Sequence, residues 1–292
     1  MTIDNKDQPF HDAVKAIDAG DLAALKKKIV QYPWLVTQPL DTNPEWLRAE
    51  VGKALDGFFN NPYLLWFVTE DPIRNKTLPA NIVDIAGAII HAAKEQNADS
   101  LQEQLDYAVK LTGWSSVAKK CGVQLALINL FLDEGATPSG ANDALVCSNV
   151  DAAALLIERG APLTLPAAVC LNYPEEAKML AAISTADEKQ AALVLAALNG
   201  KADGIALLLE AGADASRPCS DIYSHGTPLH HAVCSGSLDA VKVLVNAGAN
   251  VNALDTAWQG SPEGWALYYY ELGENKEAFK EIVLFLRSVQ QN

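Results

Sequence analysis

Apolar residues recur at helical spacing along the whole chain, and short polar segments that contain glycine separate one apolar stretch from the next. In the opening segment, residues 10–32, two such stretches predict two helices on either side of Gly20. Asp21 stands where it can cap the second of them. The same alternation continues to the C-terminus, so the pattern predicts an all-α chain built from helix pairs.

Glycine marks where the second helix of several pairs ends, because glycine adopts the left-handed conformation that a helix exit requires. The marks are Gly135-Ala136, Gly160-Ala161, Gly212-Ala213 and Gly248-Ala249. Asn97-Ala98 takes the same place earlier in the chain, since asparagine is the next best residue in that conformation. The long interval between the second and third marks predicts a further, hidden pair in residues 165–182.

The most regular stretch is residues 226–255. It contains Thr227-Pro228-Leu229-His230-His231-Ala232, which fits the pattern T-P-L-H-x-A. Pro228 suits the first turn of a helix, where its missing N–H leaves nothing unpaired. Gly236 then predicts a tight turn, and Ser237 predicts the cap of the following helix.

This stretch resembles an ankyrin repeat, and the chain is similar to the ankyrin-repeat protein family. The resemblance implies an all-α solenoid of about eight stacked helix pairs with finger loops and an N-terminal helical insertion. It implies a single ankyrin-repeat domain over residues 1–292. Within it, residues 1–119 are degenerate repeats with an insertion at about 33–62, residues 120–187 are short repeats, and residues 188–292 are regular repeats with a C-terminal cap. The short middle repeats and the early insertion resemble bacterial members of the family.

The insertion contains four large aromatic residues. Because large aromatic side chains are mostly buried, we expect them to pack rather than to bind a partner. They are Trp34, Trp46, Phe58 and Phe59.

Charge and cysteine content limit the classes of partner and the cellular compartment that we expect. The net charge is −14, and nucleic acid and anionic membranes both need a positive surface, so we expect neither as a partner. The five cysteines are odd in number and widely spaced, which favours reduced thiols in a cytoplasmic protein. The first ten residues contain no apolar signal segment, and no apolar run is long enough to cross a membrane. We expect a monomer.

One cluster of residues invites a chemical interpretation, because it could bind a soft or borderline metal. It consists of Cys219, Asp221, His225, His230, His231 and Cys234. However, His230 is the histidine of T-P-L-H, which in the family is structural and bonds the neighbouring loop. His231 follows it on a helix and points about 100° away. No serine-hydrolase, phosphate-loop or zinc-protease motif is present. We therefore expect no catalytic residue, metal or cofactor; the alternative is an enzyme or metal-dependent sensor that uses the region of His225, His230 and His231.

The family resemblance implies a noncatalytic protein–protein interaction module, acting as scaffold, adaptor or inhibitor through a concave surface of fingers and first helices. Tyrosine and tryptophan give large contact areas with few torsions, so they are favoured at such surfaces. The predicted partner-binding residues are Tyr223, His225, Trp258, Gln259, Tyr268 and Tyr269. The alternative is that Trp258 packs under its own finger.

Overall fold

The structure is a computed structural model that describes residues 6–273 and 275–290. The opening residues 1–5, part of the segment searched for a signal, lie outside the described residues. Helices and turns make up the described part of the chain, which contains no β-strand, so the prediction of an all-α fold is confirmed. The chain divides into two compact units, Met1–Pro162 and Leu163–Asn292. The single domain over residues 1–292 stays a prediction.

The N-terminal unit contains α-helices and, in its first half, short 3-10 helices. Its α-helices are α1 (Asp7–Asp18), α2 (Leu22–Gln31), α3 (Glu45–Val51), α4 (Ile82–Glu95), α5 (Leu101–Trp114), α6 (Ser116–Lys120), α7 (Gln124–Asp133), α8 (Ala141–Val146) and α9 (Val150–Glu158). Three 3-10 helices, Pro33–Val36, Gly52–Asp56 and Leu64–Thr69, lie between α2 and α4. Four pairs pack in succession: α1 with α2, the last 3-10 helix with α4, α5 with α7, and α8 with α9.

The insertion is folded into short helices. It contains α3, which the 3-10 helix Gly52–Asp56 follows directly. The next element along the chain is the 3-10 helix Leu64–Thr69, of which every residue is buried. So short a segment cannot gain much from regular α-helical bonding, and 3-10 geometry is common in such pieces.

Three of the four insertion aromatics pack as expected. The ring of Trp34 stacks on Phe10 with centroids 6.5 Å apart, and the ring of Trp46 stacks on His11 at 4.2 Å. Phe59 is 1% exposed. Phe58 differs, because 44% of it stays exposed.

A charge network surrounds the buried side chain of Arg74, which follows the 3-10 helix Leu64–Thr69. Arg74 donates two hydrogen bonds to the Asp18 carboxylate, at 3.0 and 2.7 Å, and its side chain is 2% exposed. Its guanidinium also lies over the ring of Phe67, 5.0 Å from the centroid. Glu70 is fully buried beside it and accepts hydrogen bonds from the backbone N–H groups of Arg74 and Asn75. Burial raises the pKa of Glu70, and the charge of Arg74 opposes that rise.

The C-terminal unit is a regular stack of four helix pairs. Its helices are α10 (Leu165–Cys170), α11 (Pro174–Ile183), α12 (Ala186–Leu198), α13 (Ala202–Glu210), α14 (Pro228–Cys234), α15 (Leu238–Asn246), α16 (Pro262–Leu272) and α17 (Lys276–Gln290). First helices pack on first helices and second helices on second helices, as a solenoid requires. Small side chains fill much of the core, among them Ala168, Ala196, Ala232 and Ala266. They let the helices approach closely.

The turn chemistry follows the sequence. Gly248 has φ +87° and Asn97 has φ +51°, so both adopt the left-handed conformation predicted at the helix exits. The Ser237 side chain accepts the N–H of Ala240 at 3.2 Å, which confirms the predicted cap. These local rules determine where each pair turns.

Candidate functional site

The C-terminal finger, residues 250–260, is organised around one buried carboxylate. Asp255 is fully buried, and one of its oxygens accepts the backbone N–H groups of Ala257 and Trp258, at 2.8 and 2.6 Å. The other oxygen accepts the backbone N–H of Gly260 at 2.8 Å and the indole N–H of Trp265 at 2.9 Å. Four donors on one side chain hold the finger in a single shape, from which Trp258 projects.

Burial by itself would raise the pKa of Asp255. The hydrogen bonds from Trp258, Trp265, Gly260 and Ala257 outweigh that effect and lower the pKa to about 2. The carboxylate is therefore ionised at neutral pH, where it accepts the four hydrogen bonds that fix the finger.

His230 joins this finger to the helix before it. The N–H of Thr227 donates to His230 Nδ1 at 3.1 Å, so the ring proton is on Nε2, which donates to the Gly260 carbonyl at 3.1 Å. Burial lowers the pKa of His230. The structural role that the sequence predicts for His230, bonding the neighbouring loop, is confirmed.

His231 is buried among aromatic rings. It is 2% exposed, with ring centroids 6.0 Å from Tyr223 and 6.2 Å from both His225 and Trp265. Its Nε2 has no hydrogen-bond partner among the described residues. Burial, followed by the charges of His225 and His230, lowers the pKa of His231 to about 4. Across the residues that the structure describes, no group of three or more metal-ligating side chains is placed to hold an ion.

The His231 side chain makes a testable contribution to acid sensitivity. Its pKa in the folded chain is about 4, below the ordinary value of 6.5, so the unfolded chain binds more protons between these values. The stability present above pH 6.5 is therefore lost as the pH falls toward 4, and the loss from this group approaches about 3 kcal/mol. We expect His231→Leu to flatten the pH dependence of urea unfolding across this window. An unchanged dependence would contradict the assignment, and His91→Leu, an exposed histidine, is the control.

The six predicted partner-binding residues separate into exposed and structural groups. Trp258, Tyr268 and Tyr223 are 70%, 59% and 46% exposed. Tyr269 is half-buried: its ring stacks on Phe279 at 5.2 Å, and its hydroxyl shares a hydrogen bond with the Cys234 thiol at 3.1 Å.

The other two candidates support the finger. Gln259 donates from its side chain to the carbonyl of Asp255 at 3.1 Å. The His225 ring meets the Trp258 ring edge-to-face at 5.0 Å, and the His225 carbonyl accepts the N–H of Thr256 at 2.9 Å. The His225 contacts link this finger to the preceding finger, residues 213–226, and Trp258 remains exposed.

A cleft of about 610 Å³ opens beside Trp258. It is lined by Trp258, Gly260, Gly264, Trp265, Tyr268 and Tyr269. The sequence reasoning missed Trp265, although its position in the last pair is that of His231 in the preceding one. Trp258 is 70% exposed, so it does not pack under its own finger.

The ankyrin-repeat family model, in three copies, matches residues 165–255. The match spans the first three helix pairs of the C-terminal unit and ends at Asp255. No curated protein matches the chain. Among the described helices, none has both the length and the hydropathy to cross a membrane. Ankyrin repeats in general are protein–protein interaction modules. Residues 165–255 are therefore ankyrin repeats, and the described part of the chain around them is also helical.

Proposed function

We propose that this protein is a noncatalytic interaction module, a scaffold, adaptor or inhibitor, that binds a partner protein beside the C-terminal finger. One observation carries the proposal: Trp258 and Tyr268 are largely exposed at the edge of a cleft, on a finger that Asp255 holds rigid. Exposed aromatic anchors on a preorganised surface lose little conformational entropy when a partner covers them. In the same proposal the protein acts as a cytoplasmic monomer, and its net charge of −14 disfavours nucleic acid and anionic membranes.

The titratable groups near the cleft support a noncatalytic role. Both ring nitrogens of His230 make hydrogen bonds, one of them to the finger at Gly260. The Asp255 carboxylate accepts N–H groups that fix the same finger. A general base needs a lone pair that can reach a substrate. The alternative, an enzyme or metal-dependent sensor, would use the region of His225, His230 and His231.

Affinity capture from native lysate tests the proposal. We expect the unaltered chain to retain a protein that the double variant Trp258→Ala, Tyr268→Ala loses, because truncation of a central aromatic anchor costs about 2 kcal/mol or more. Tyr269 stays intact in this variant, since its packing on Phe279 supports the fold.

The control is Tyr173→Ala, which removes a tyrosine that is 40% exposed elsewhere in the same unit. It should keep the captured protein, and all variants should keep the helical circular-dichroism signal. Capture of the same proteins by the double variant and by the unaltered chain would count against this surface.

A further inference from the structure

The aromatic rings of the cleft are arranged edge-to-face. Trp258 and Trp265 have centroids 6.0 Å apart with planes inclined by 63°, and Tyr268 and Tyr269 are 5.6 Å apart at 72°. In such a pair the edge of one ring lies against a face of the other, so the ring that presents its edge keeps both of its faces clear of its partner. Ring faces carry the negative end of the aromatic quadrupole and attract cations, and tryptophan attracts them most strongly.

Negative charge lies behind this aromatic wall. The Asp255 carboxylate accepts the indole N–H of Trp265, and its charge persists at neutral pH. A charged acceptor draws the N–H dipole toward itself and makes the indole ring a better partner for a cation.

The sequence segment that contains the residues of the cleft is also acidic. Between Arg217 and Lys276 the sequence has a single lysine or arginine, Lys242 on α15. The same segment has six acidic residues, which are Asp221, Asp239, Asp255, Glu263, Glu271 and Glu274. Glu271 is exposed and follows Tyr268 by three positions on α16, so it lies one turn away on the same helix face. Glu263 is partly neutralised by Arg287, at 2.7 Å.

We propose that the cleft recognises an arginine side chain in an extended, basic segment of a protein partner. A guanidinium stacks on aromatic faces and pairs with carboxylates, and it is weakly hydrated compared with the ammonium group of lysine. The volume of about 610 Å³ accommodates the side chain together with the adjoining backbone. The proposal rests on the interaction function above and names the chemistry of the partner.

Matched peptides test it directly. The probe is a capped glycine–serine peptide with two arginines, compared by calorimetry on the full chain with its citrulline counterpart, which has nearly the same shape and no charge. We expect the arginine peptide to bind about tenfold more tightly. Added salt should lower the affinity of the arginine peptide and leave the affinity of the citrulline peptide little changed.

Two single variants connect the binding to the cleft. A Cβ at Gly264 would meet nothing closer than Ser261 Oγ at 3.5 Å, an ordinary contact, so Gly264→Leu fills the cleft without straining the helix. Glu271→Gln removes an exposed carboxylate one turn from Tyr268 on α16. We expect Gly264→Leu to abolish measurable binding and Glu271→Gln to weaken it about threefold. Glu176→Gln, an exposed carboxylate on α11, is the control and should change nothing.

Several outcomes would overturn the proposal. They are equal binding of the arginine and citrulline peptides, tighter binding of the neutral peptide, and no binding of the arginine peptide at about 1 mM. Unchanged binding to Gly264→Leu would place the arginine elsewhere. If the capture experiment still loses its protein with Trp258→Ala, Tyr268→Ala, the interaction function stands and only the arginine chemistry fails.

Discussion

Replacing Arg74 by methionine is expected to lower the free energy of unfolding of the N-terminal unit by about 4 kcal/mol. The guanidinium is 2% exposed and balances the fully buried carboxylate of Glu70 and the carboxylate of Asp18. Its removal leaves Glu70 without its cation in a site that water does not reach. That cost exceeds the value of the ion pairs themselves, because a buried unpaired charge is more costly than a buried pair.

The insertion offers a matched control for Arg74. Arg48 also makes two hydrogen bonds to an aspartate, Asp56, at 3.0 and 2.8 Å, but both side chains are about half exposed. Because solvent screens this exposed pair, Arg48→Met should leave the free energy of unfolding nearly unchanged.

Urea unfolding of both variants measures the difference. Adding Glu70→Gln to Arg74→Met should recover part of the loss, since it removes the stranded charge. Equal effects of Arg74→Met and Arg48→Met would show that burial does not govern this network.

Asp255→Ala is expected to lower the free energy of unfolding of the C-terminal unit by about 3 kcal/mol. The substitution leaves four N–H donors of the finger without their acceptor, including the indole of Trp265. The folded pKa of about 2 lies below the ordinary 3.8, so this contribution is complete above pH 4 and is lost as the pH falls through 2. Loosening of the finger should also change the emission of Trp258 and Trp265.

The preceding finger provides the control for Asp255. Asp214 also accepts two backbone N–H groups, those of Ser216 and Arg217 at 2.8 and 3.2 Å, but it is exposed. Asp214→Ala should cost about 1 kcal/mol. If Asp255→Ala unfolds at the same urea concentration as Asp214→Ala, the four-donor arrangement contributes no special stability.

Helix pairing and turn chemistry could be predicted from the sequence because they depend on near neighbours. The left-handed Asn97 and the Ser237 cap follow from residues a few positions away, and the structural role of His230 followed from its place in the repeat motif. The Arg74 network could not be predicted, since Asp18 lies 56 positions earlier and only tertiary packing brings the two together.

The candidate site shows the same limit. The sequence predicted an aromatic surface at the C-terminal fingers, and Trp258, Tyr268 and Tyr223 are exposed in the structure. Composition could not reveal that Tyr269 packs on Phe279, because exposure is decided by which helix covers which. The role of Trp265 could not be predicted for the same reason, since tertiary structure directs its indole N–H to Asp255.

Gly264 gives the last helix pair a consequence for protein engineering. At the matching place in the preceding pair, His230 donates a hydrogen bond to the Gly260 carbonyl of the next finger. Gly264 has no side chain to do the same, and it lines the cleft instead. A designed fifth pair in this unit would need a histidine at position 264 to hold its finger, and that imidazole would occupy the cleft. Lengthening the array and keeping the cavity are therefore competing uses of one residue.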